Sequence, residues 1–86
     1  MYNLYVIWSE SKSKHYVGIA VNPQARLDQH NAGYVDATRS TKDWRIIYVE
    51  HFQSRSEASK RESFFKSGDG RRVLARIFED KLGAVA

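Results

Sequence analysis

Two runs rich in β-branched and aromatic residues dominate the first quarter of the chain. They read YNLYVIW and KHYVGIA, and the short polar stretch SESKS separates them. Residues of these types fit a pleated, half-buried surface, and a spacer of this length suits a turn. The pattern therefore predicts an antiparallel hairpin with strands at about residues 2–8 and 15–20.

Alternation along the first strand predicts two unlike faces. The apolar face carries Tyr2, Leu4, Val6 and Trp8, and the mixed face carries Asn3, Tyr5 and Ile7. A four-residue loop at Ser9–Lys12 would place Tyr5 opposite Tyr16, so that both tyrosines share the mixed face. Gly18 falls on the same face, and a strand glycine commonly marks a close approach by a ligand or another backbone.

The segment NPQARLDQHNAG predicts a helix over about residues 23–32. Asn22 is its expected N-cap and Gly33 its C-terminal stop. Asn22, Arg26 and His30 recur at four-residue spacing and therefore line one face of this helix. The helix displays polar groups more than it builds core.

The second half of the chain alternates loop, strand and helix patterns. GYVDATRSTKD has no clear period and predicts a surface loop, and WRIIYVEHF predicts a third strand at residues 44–52. Ser54 stands three residues before Glu57, which is the spacing of a capping box. We expect a helix over about residues 56–67, with Gly68 as its stop.

A last helix is predicted over about residues 70–81. Its apolar stripe is flanked by arginines: Val73, Leu74, Ile77, Phe78 and Leu82, beside Arg71, Arg72 and Arg76. We expect a single domain over residues 1–82 and a short, frayed C-terminal tail over residues 83–86.

Size and composition exclude several classes of protein. With 86 residues the chain has room for one small core, and with no cysteine it forms neither disulfides nor thiolate metal sites. These features fit a cytoplasmic protein held together by packing alone. The apolar start is too short for a membrane span and lacks the flanks of a signal peptide, so no membrane association is expected, and a monomer is favoured.

The chain is basic, with a formal net charge of +4. The excess gathers around Arg39–Arg45 and Lys60–Arg76. An anionic polymer such as a nucleic acid is one partner that this charge suits. Many small proteins carry a similar charge for solubility alone, so composition leaves both interpretations open.

Glu62 is the carboxylate whose position raises a question of function. It shares a helix face with the apolar Ala58 and Phe65, so we expect it to turn towards the sheet, where a carboxylate needs a partner. The alternative is an ordinary surface pair with Lys66 one turn later, worth about 0.2–0.5 kcal/mol.

Taken singly, the other polar candidates have ordinary explanations as surface or strand residues. Together, a hydroxyl, a guanidinium, an imidazole and a carboxylate are the groups needed to hydrolyse a phosphodiester with a divalent ion. Their order along the chain resembles that in the GIY-YIG endonuclease superfamily, over roughly residues 2–76. The residues that carry the resemblance are Tyr5, the YVG of Tyr16 to Gly18, Arg26, His30 and Glu62.

The chain looks most like small stand-alone members related to the N-terminal nuclease domain of UvrC. This resemblance implies an α/β (α+β) fold, in which about three helices flank a three-stranded antiparallel sheet. The first motif, GIY in the family, reads Asn3, Leu4 and Tyr5 here, and the second reads YVG. Both chemical groups, the two hydroxyls, are kept.

The resemblance also implies catalytic roles. Glu62 would be the sole protein ligand of Mg²⁺ or Mn²⁺. Tyr5 would orient or deprotonate the attacking water, for which its pKa near 10 requires a cationic neighbour. Arg26 would grip the scissile phosphate, Tyr16 would hydrogen-bond the phosphate or the water, and His30 would supply positive charge or relay the proton.

Further residues are candidates for contact with nucleic acid. Gly18 would leave room for the nucleic-acid backbone, and Lys14, Arg39, Lys42 and Lys66 are candidate phosphate contacts. No base-reading element is recognisable, so we expect recognition of structure more than sequence, as in DNA repair or processing.

Two other functions stay open at this stage. Larger members of the family carry a late catalytic asparagine, and no asparagine follows Asn31 in this chain. The chain would then be a nucleic-acid-binding module without turnover. In the other alternative, the polar face is a docking surface for protein.

Overall fold

The computed structural model describes residues 1–83. Its three strands form one antiparallel sheet in the order β2-β1-β3. The elements are β1 (Tyr2–Ser9), β2 (Lys14–Ala20), α1 (Pro23–Asn31), a short 3₁₀ helix (Asp36–Thr38), β3 (Trp44–Phe52), α2 (Arg55–Phe65) and α3 (Gly68–Leu82). The expected α+β fold with three strands and three helices is confirmed. Of the tail expected to fray, residues 84–86 lie outside the described residues.

The central strand β1 is buried on both of its faces. One face joins an apolar core shared with β2, β3, α2 and α3: Leu4, Val6, Trp8, Val17, Ile47, Phe65 and Leu74. The other face, which we call the tyrosine face, consists of Tyr5, Ile7 and Trp44, with Tyr16 and Leu27 packed against it. The alternation in the sequence predicted only the first face to be apolar and the second to be mixed. The second face is buried as well because Leu27 of α1 packs onto it.

The register of the hairpin differs from the expected one. Tyr5 pairs with Gly18, and Tyr16 pairs with Ile7, because the turn lies one residue later, after Ser9. The pairing thus shifts by two residues along β2, and a shift of two keeps every side chain on its face. The prediction that Tyr5 and Tyr16 are opposite is wrong, but the prediction that they share a face is confirmed.

The helix starts follow the capping signals in the sequence. The backbone N–H of Ala25 donates to Asn22 Oδ1 over 3.1 Å at the start of α1, and that of Glu57 donates to Ser54 Oγ over 3.2 Å at the start of α2. Gly33 follows α1 with φ +83°, a conformation that favours glycine. These predicted boundaries are confirmed to within two residues.

The junction of α2 and α3 is tighter than predicted. Helix α2 ends at Phe65, and Gly68 is the first residue of α3 rather than a stop. Ser67 caps α3, because its Oγ accepts from the backbone N–H of Gly70 over 3.2 Å. A Cβ at Gly70 would lie 1.8 Å from the carbonyl oxygen of Phe64, so the two helices meet where only a glycine fits.

The connection between α1 and β3 is fixed by hydrogen bonds to the start of β3. The backbone N–H of Trp44 donates to Asn31 Oδ1 over 2.9 Å, and Asn31 Nδ2 donates to the carbonyl of Trp44 over 3.0 Å. The indole N–H of Trp44 donates to the carbonyl of Thr38 over 2.9 Å. The predicted surface loop is therefore anchored, and Thr38 is only 1% exposed.

None of the helices in residues 1–83 combines the length and apolar character that crossing a membrane requires.

Candidate active site

A chain of three side chains lies buried between the sheet, α1 and the 3₁₀ helix. The hydroxyl of Tyr5 lies 2.8 Å from His30 Nε2, and His30 Nδ1 lies 2.6 Å from Thr38 Oγ1. His30 is 0% exposed and Tyr5 1% exposed. Buried polar groups of this kind are costly unless they are hydrogen-bonded, and both ring nitrogens of His30 have partners.

The hydrogen bonds assign the tautomer of His30. The hydroxyl of Thr38 donates its single proton to the carbonyl of Val35 over 3.3 Å. Its oxygen therefore accepts from His30 Nδ1–H, which leaves Nε2 as the acceptor for the Tyr5 hydroxyl. Proton donation thus runs from Tyr5 towards His30, and the Tyr5 oxygen can still accept a hydrogen bond, with the Arg26 guanidinium near enough to donate one.

Arg26, one turn before His30 on α1, supplies positive charge to the hydrogen-bonded Tyr5, His30 and Thr38. It is half-buried, and its Nη1 donates to Gln29 Oε1 over 2.7 Å. Burial lowers the pKa of His30 below 6.5, and the charge of Arg26 lowers it further. His30 is therefore neutral at pH 7 and free to accept a proton.

Tyr5 is not ionised by its cationic neighbour. Burial raises the pKa of Tyr5 to about 12, and the lowering effect of Arg26 does not offset this. The sequence led us to expect a tyrosine activated by nearby positive charge. Here the desolvation of the phenolate outweighs that attraction, so Tyr5 is a neutral phenol hydrogen-bonded to a neutral histidine.

Tyr16 and Gly18 complete the wall of the cluster on β2. The ring of Tyr16 is centred 5.0 Å from that of His30 and 6.5 Å from that of Tyr5. A Cβ at Gly18 would lie 2.5 Å from the hydroxyl oxygen of Tyr5. The close approach expected at this glycine is therefore made by the Tyr5 side chain itself.

Glu62 lies on α2 with the geometry that its spacing predicted. Ala58 and Phe65 on the same face are 0% and 1% exposed, and the Glu62 side chain is 27% exposed. Its charge is among the effects that raise the pKa of Tyr5, which places the carboxylate within electrostatic reach of that hydroxyl. Its Oε2 also lies 3.6 Å from Lys66 Nζ, so the alternative surface pair is present too.

The orientation of α2 is fixed by a neighbouring ion pair. Arg61 Nε and Nη2 donate to the two carboxylate oxygens of Glu50 on β3 over 2.8 and 3.0 Å. This two-point contact is geometrically specific, and it precedes Glu62 by one residue. It restricts rotation of the helix and therefore the direction in which Glu62 points.

The donor set suits a hard divalent cation held by one carboxylate. Residues 1–83 contain no group of three or more His, Cys, Asp or Glu side chains that could hold a metal ion. Mg²⁺ and Mn²⁺ accept such a site, because Mg²⁺ commonly keeps several waters and binds one or two carboxylates together with substrate phosphate. Glu62 therefore fits as a sole protein ligand.

The remaining expected contacts with nucleic acid are more scattered. Lys66 lies beside Glu62, as described above. Lys14 is exposed at the start of β2, and Lys42 is exposed shortly before β3. Arg39 pairs with Asp36 over 3.6 Å at the surface. The structure does not bring Lys14, Arg39 or Lys42 into the cluster around Tyr5.

Thr38 is the member of the cluster that sequence reasoning missed. It lies eight residues after His30 in the segment with no periodicity. Several hydroxyl side chains occur there, and the sequence does not indicate which of them contacts His30. The nearest available signal was Trp44, whose indole needs a hydrogen-bond acceptor when buried. That acceptor is the Thr38 carbonyl.

Comparison with curated proteins finds several relatives, all described as UPF0213 proteins. A UPF0213 protein of Desulfotalea psychrophila is 36% identical over 74 residues, which span 81% of this chain and 67% of the relative. A UPF0213 protein of Staphylococcus haemolyticus is 35% identical over 65 residues, spanning 74% and 79%. One from Enterococcus faecalis is 41% identical over 54 residues, spanning 59% and 61%.

No solved structure matches the chain significantly. The family model described as the GIY-YIG catalytic domain matches residues 1–72, which contain every member of the cluster described above. The chain belongs to the GIY-YIG catalytic domain family, a family of nuclease domains.

Proposed function

We propose that the chain is a divalent-metal-dependent endonuclease that hydrolyses phosphodiester bonds in DNA. Its substrates are selected by structure more than by sequence, and its place is in the repair or processing of DNA in the cytoplasm. One observation carries the proposal. The Tyr5 hydroxyl donates towards a buried, neutral His30 whose other nitrogen is fixed by Thr38.

This chain of hydrogen bonds provides a route for the proton of the attacking water. The water oxygen bonds to phosphorus and its proton passes to Tyr5 Oη, while Tyr5 gives its own proton to His30 Nε2. The bond from phosphorus to the leaving oxygen breaks, and that oxygen takes a proton from solvent. Tyr5 never becomes a free phenolate, which its raised pKa of about 12 would make costly.

Arg26 and Tyr16 border the position that this route assigns to the phosphate. The guanidinium offers two parallel donors to phosphate oxygens and gains in strength as negative charge develops on them. The Tyr16 hydroxyl supplies a further hydrogen bond at the same face of the sheet. Lysine at position 26 offers a point charge instead of a planar fork and is a poor substitute.

Glu62 holds the divalent ion in this proposal, and when bound the ion neutralises charge on the phosphate and polarises its phosphorus–oxygen bonds. Glu62 must exchange its contact with Lys66 for the cation. Lys66 is 62% exposed and therefore moves away at little cost.

The distribution of the cations supports selection by structure more than by sequence. Lys14, Arg39 and Lys42 are exposed and separate, as contacts to phosphates can be. All three helices in residues 1–83 contact the sheet, and none projects from it as a recognition helix for the major groove would. We expect an affinity that is mostly electrostatic and falls steeply with salt.

The first test is cleavage of end-labelled single-stranded, duplex, flap and branched DNA and a matching RNA, each with Mg²⁺ or Mn²⁺. Glu62→Gln removes the metal ligand with little change of shape. Glu79→Gln, an exposed change on α3, is the matched control. We expect metal-dependent products with the parent chain and the control, and none with Glu62→Gln.

The second candidate is a nucleic-acid-binding module without turnover. The contact of Lys66 with Glu62 favours it, because the carboxylate already has a cationic partner, and the chain has no asparagine after Asn31. A salt-sensitive mobility shift without cleavage would support this candidate. A lack of both cleavage and binding would favour a docking surface for protein.

A further inference from the structure

A cavity of about 340 Å³ lies at the β2 edge of the sheet, beside the junction of α2 and α3. Its walls consist of three strand residues, two helix residues and one residue of the α2–α3 junction: His15, Tyr16 and Val17, then Phe65 and Arg71, then Lys66. Val17 and Phe65 are buried and give it an apolar floor. Ligand pockets run from about 300 to 1,000 Å³, so this cavity suits a small group and not a large ligand.

The lining of the cavity carries two cations, the Lys66 ammonium and the Arg71 guanidinium, together with the His15 imidazole, and it contains no carboxylate. Arg71 makes no ion pair with any of residues 1–83, whereas the adjacent Arg72 lies 3.9 Å from Asp69. Partial desolvation and the charge of Arg71 lower the pKa of His15 below 6.5. An anion between these two side chains would offset this unfavourable interaction.

The cavity adjoins the proposed active site at the β2 edge of the sheet, because the two share Tyr16 and Lys66. Tyr16 belongs to both, since its ring is centred 5.0 Å from that of His30. Lys66 also belongs to both, because its Nζ lies 3.6 Å from Glu62. The cavity is therefore next to any strand of nucleic acid held at Glu62, on the far side of Lys66.

We infer that the cavity is a subsite for a second phosphate of the bound strand, adjacent to the scissile one, with Arg71 and His15 as its donors. Lys66 stands between the two phosphates. The inference deepens the proposed nuclease function and rests on it for the path of the strand. Anion binding in the cavity is measurable without any cleavage.

Binding is tested by NMR on the parent chain in EDTA, where no metal-dependent cleavage takes place. The probes are a thymidine dinucleotide with a 5′-phosphate and, separately, inorganic phosphate. We expect the dinucleotide to raise the pKa of His15, because a nearby anion favours the imidazolium. Arg71→Gln abolishes the change that the dinucleotide causes, and Arg72→Gln, the matched control, keeps it.

Two results would overturn the subsite. One is a His15 pKa that the dinucleotide leaves unchanged. The other is an equal loss of the change in both arginine variants, which would mean that net charge and not the cavity is responsible. An equal response to inorganic phosphate alone would reduce the subsite to a general anion site and overturn its assignment to a strand.

Kinetics separate this inference from the proposed function. For the parent nuclease, we expect Arg71→Gln to raise KM at least about tenfold with kcat unchanged, as loss of a charged hydrogen bond to bound strand implies. For the Arg71→Gln variant, we expect a plot of the logarithm of the binding constant against the logarithm of salt concentration to be less steep. The difference corresponds to the loss of about one phosphate contact. Arg72→Gln has neither effect.

The two ideas fail in different ways. If no substrate is cleaved but the dinucleotide still raises the pKa of His15 through Arg71, the nuclease proposal fails and the subsite stands. If cleavage needs metal and Glu62 while Arg71→Gln behaves like Arg72→Gln, the nuclease proposal stands and the subsite fails.

Discussion

Two neighbouring residues of β1, Tyr5 and Val6, are equally buried, at 1% and 0% exposure, yet their surroundings differ in kind. Val6 lies in the apolar core and contacts hydrocarbon. Tyr5 lies on the tyrosine face and donates a hydrogen bond to His30. Exposure therefore does not separate core from site in this protein, and the hydrogen-bond partners of each buried residue do.

The two faces of β1 contribute to the molecule in different ways. The apolar core stabilises the fold by removing hydrocarbon from water, in proportion to the area buried. The tyrosine face holds polar groups whose hydrogen bonds each stabilise the fold by only about 0.5–1.5 kcal/mol but are costly to leave incomplete. Substitutions on the two faces should consequently separate activity from stability.

The largest effect is expected from Tyr5→Phe on the tyrosine face. It removes the hydroxyl between water and His30, and general acid–base catalysis of this kind contributes about 10²–10⁴-fold to a rate. Single-turnover cleavage measures the loss. Tyr34→Phe, at a tyrosine that is 80% exposed, is the control and should cleave at the parent rate. Equal rates for Tyr5→Phe and the parent chain would refute the proton route.

Leu4→Ala tests the opposite face of the same strand. Leu4 is 0% exposed in the apolar core, and truncation of such a residue costs about 2–5 kcal/mol of the free energy of unfolding. Urea denaturation measures this cost. Cleavage per folded molecule should stay at the parent level at low temperature. A selective loss of cleavage in the folded fraction would show that the two faces are not separable.

Thr38→Val should have an intermediate effect through His30. It keeps the shape of the side chain but removes the acceptor of Nδ1–H, and loss of such a positioning contact costs about 10–100-fold in activity. The ¹⁵N chemical shifts of His30 report the tautomer directly. Thr38→Ser, which keeps the hydroxyl, should restore both the shifts and most of the rate. An unchanged tautomer in Thr38→Val would contradict the assigned hydrogen bonds.

The dependence on pH gives the smallest effect and the finest test. The cleavage rate should fall on the acid side as His30 becomes protonated, with a midpoint below 6.5 because burial and Arg26 lower its pKa. Below about pH 6.5 the unfolded state binds more protons at this residue than the folded state. The contribution of neutral His30 to stability is therefore complete above that pH and is lost as the pH falls towards the folded pKa.

Rate profiles and urea denaturation between pH 7.5 and 5 measure both trends. His15 also has a lowered pKa, so the His15→Gln variant serves to isolate the titration of His30. In that variant, a midpoint above 6.5, or a rate that rises as the pH falls, would contradict a neutral His30 as the proton acceptor.

Local rules predicted most of the fold. Strand composition and the caps at Asn22 and Ser54 depend on neighbouring residues only, and the structure confirms them. The boundary at Gly68 was wrong because that glycine reads as a stop for α2, whereas Ser67 caps the next helix. The choice between these two local signals depends on how tightly α2 and α3 pack. A short stretch of sequence does not contain that information.

Spacing placed Tyr5 and Tyr16 on one face of the sheet, and His30 on the polar face of α1. The family resemblance implied that these groups meet, but it did not give their energetics. The raised pKa of Tyr5 depends on how completely α1 covers the tyrosine face. The tautomer of His30 depends on Thr38, which a 3₁₀ helix brings within 2.6 Å from a segment without periodicity. Both are properties of tertiary contact, and sequence spacing carries no information on them.

Gly70 has a consequence beyond the junction it permits. The missing methyl group lets α3 start directly against the carbonyl of Phe64, and Lys66 and Arg71 stand on either side of that contact. The distance between these two cations is thus set by a residue that bears no charge. In Gly70→Ala, the added methyl group would push α3 away from Phe64 and increase the distance between Lys66 and Arg71. Phosphate binding would weaken although every charged side chain in the sequence is unchanged.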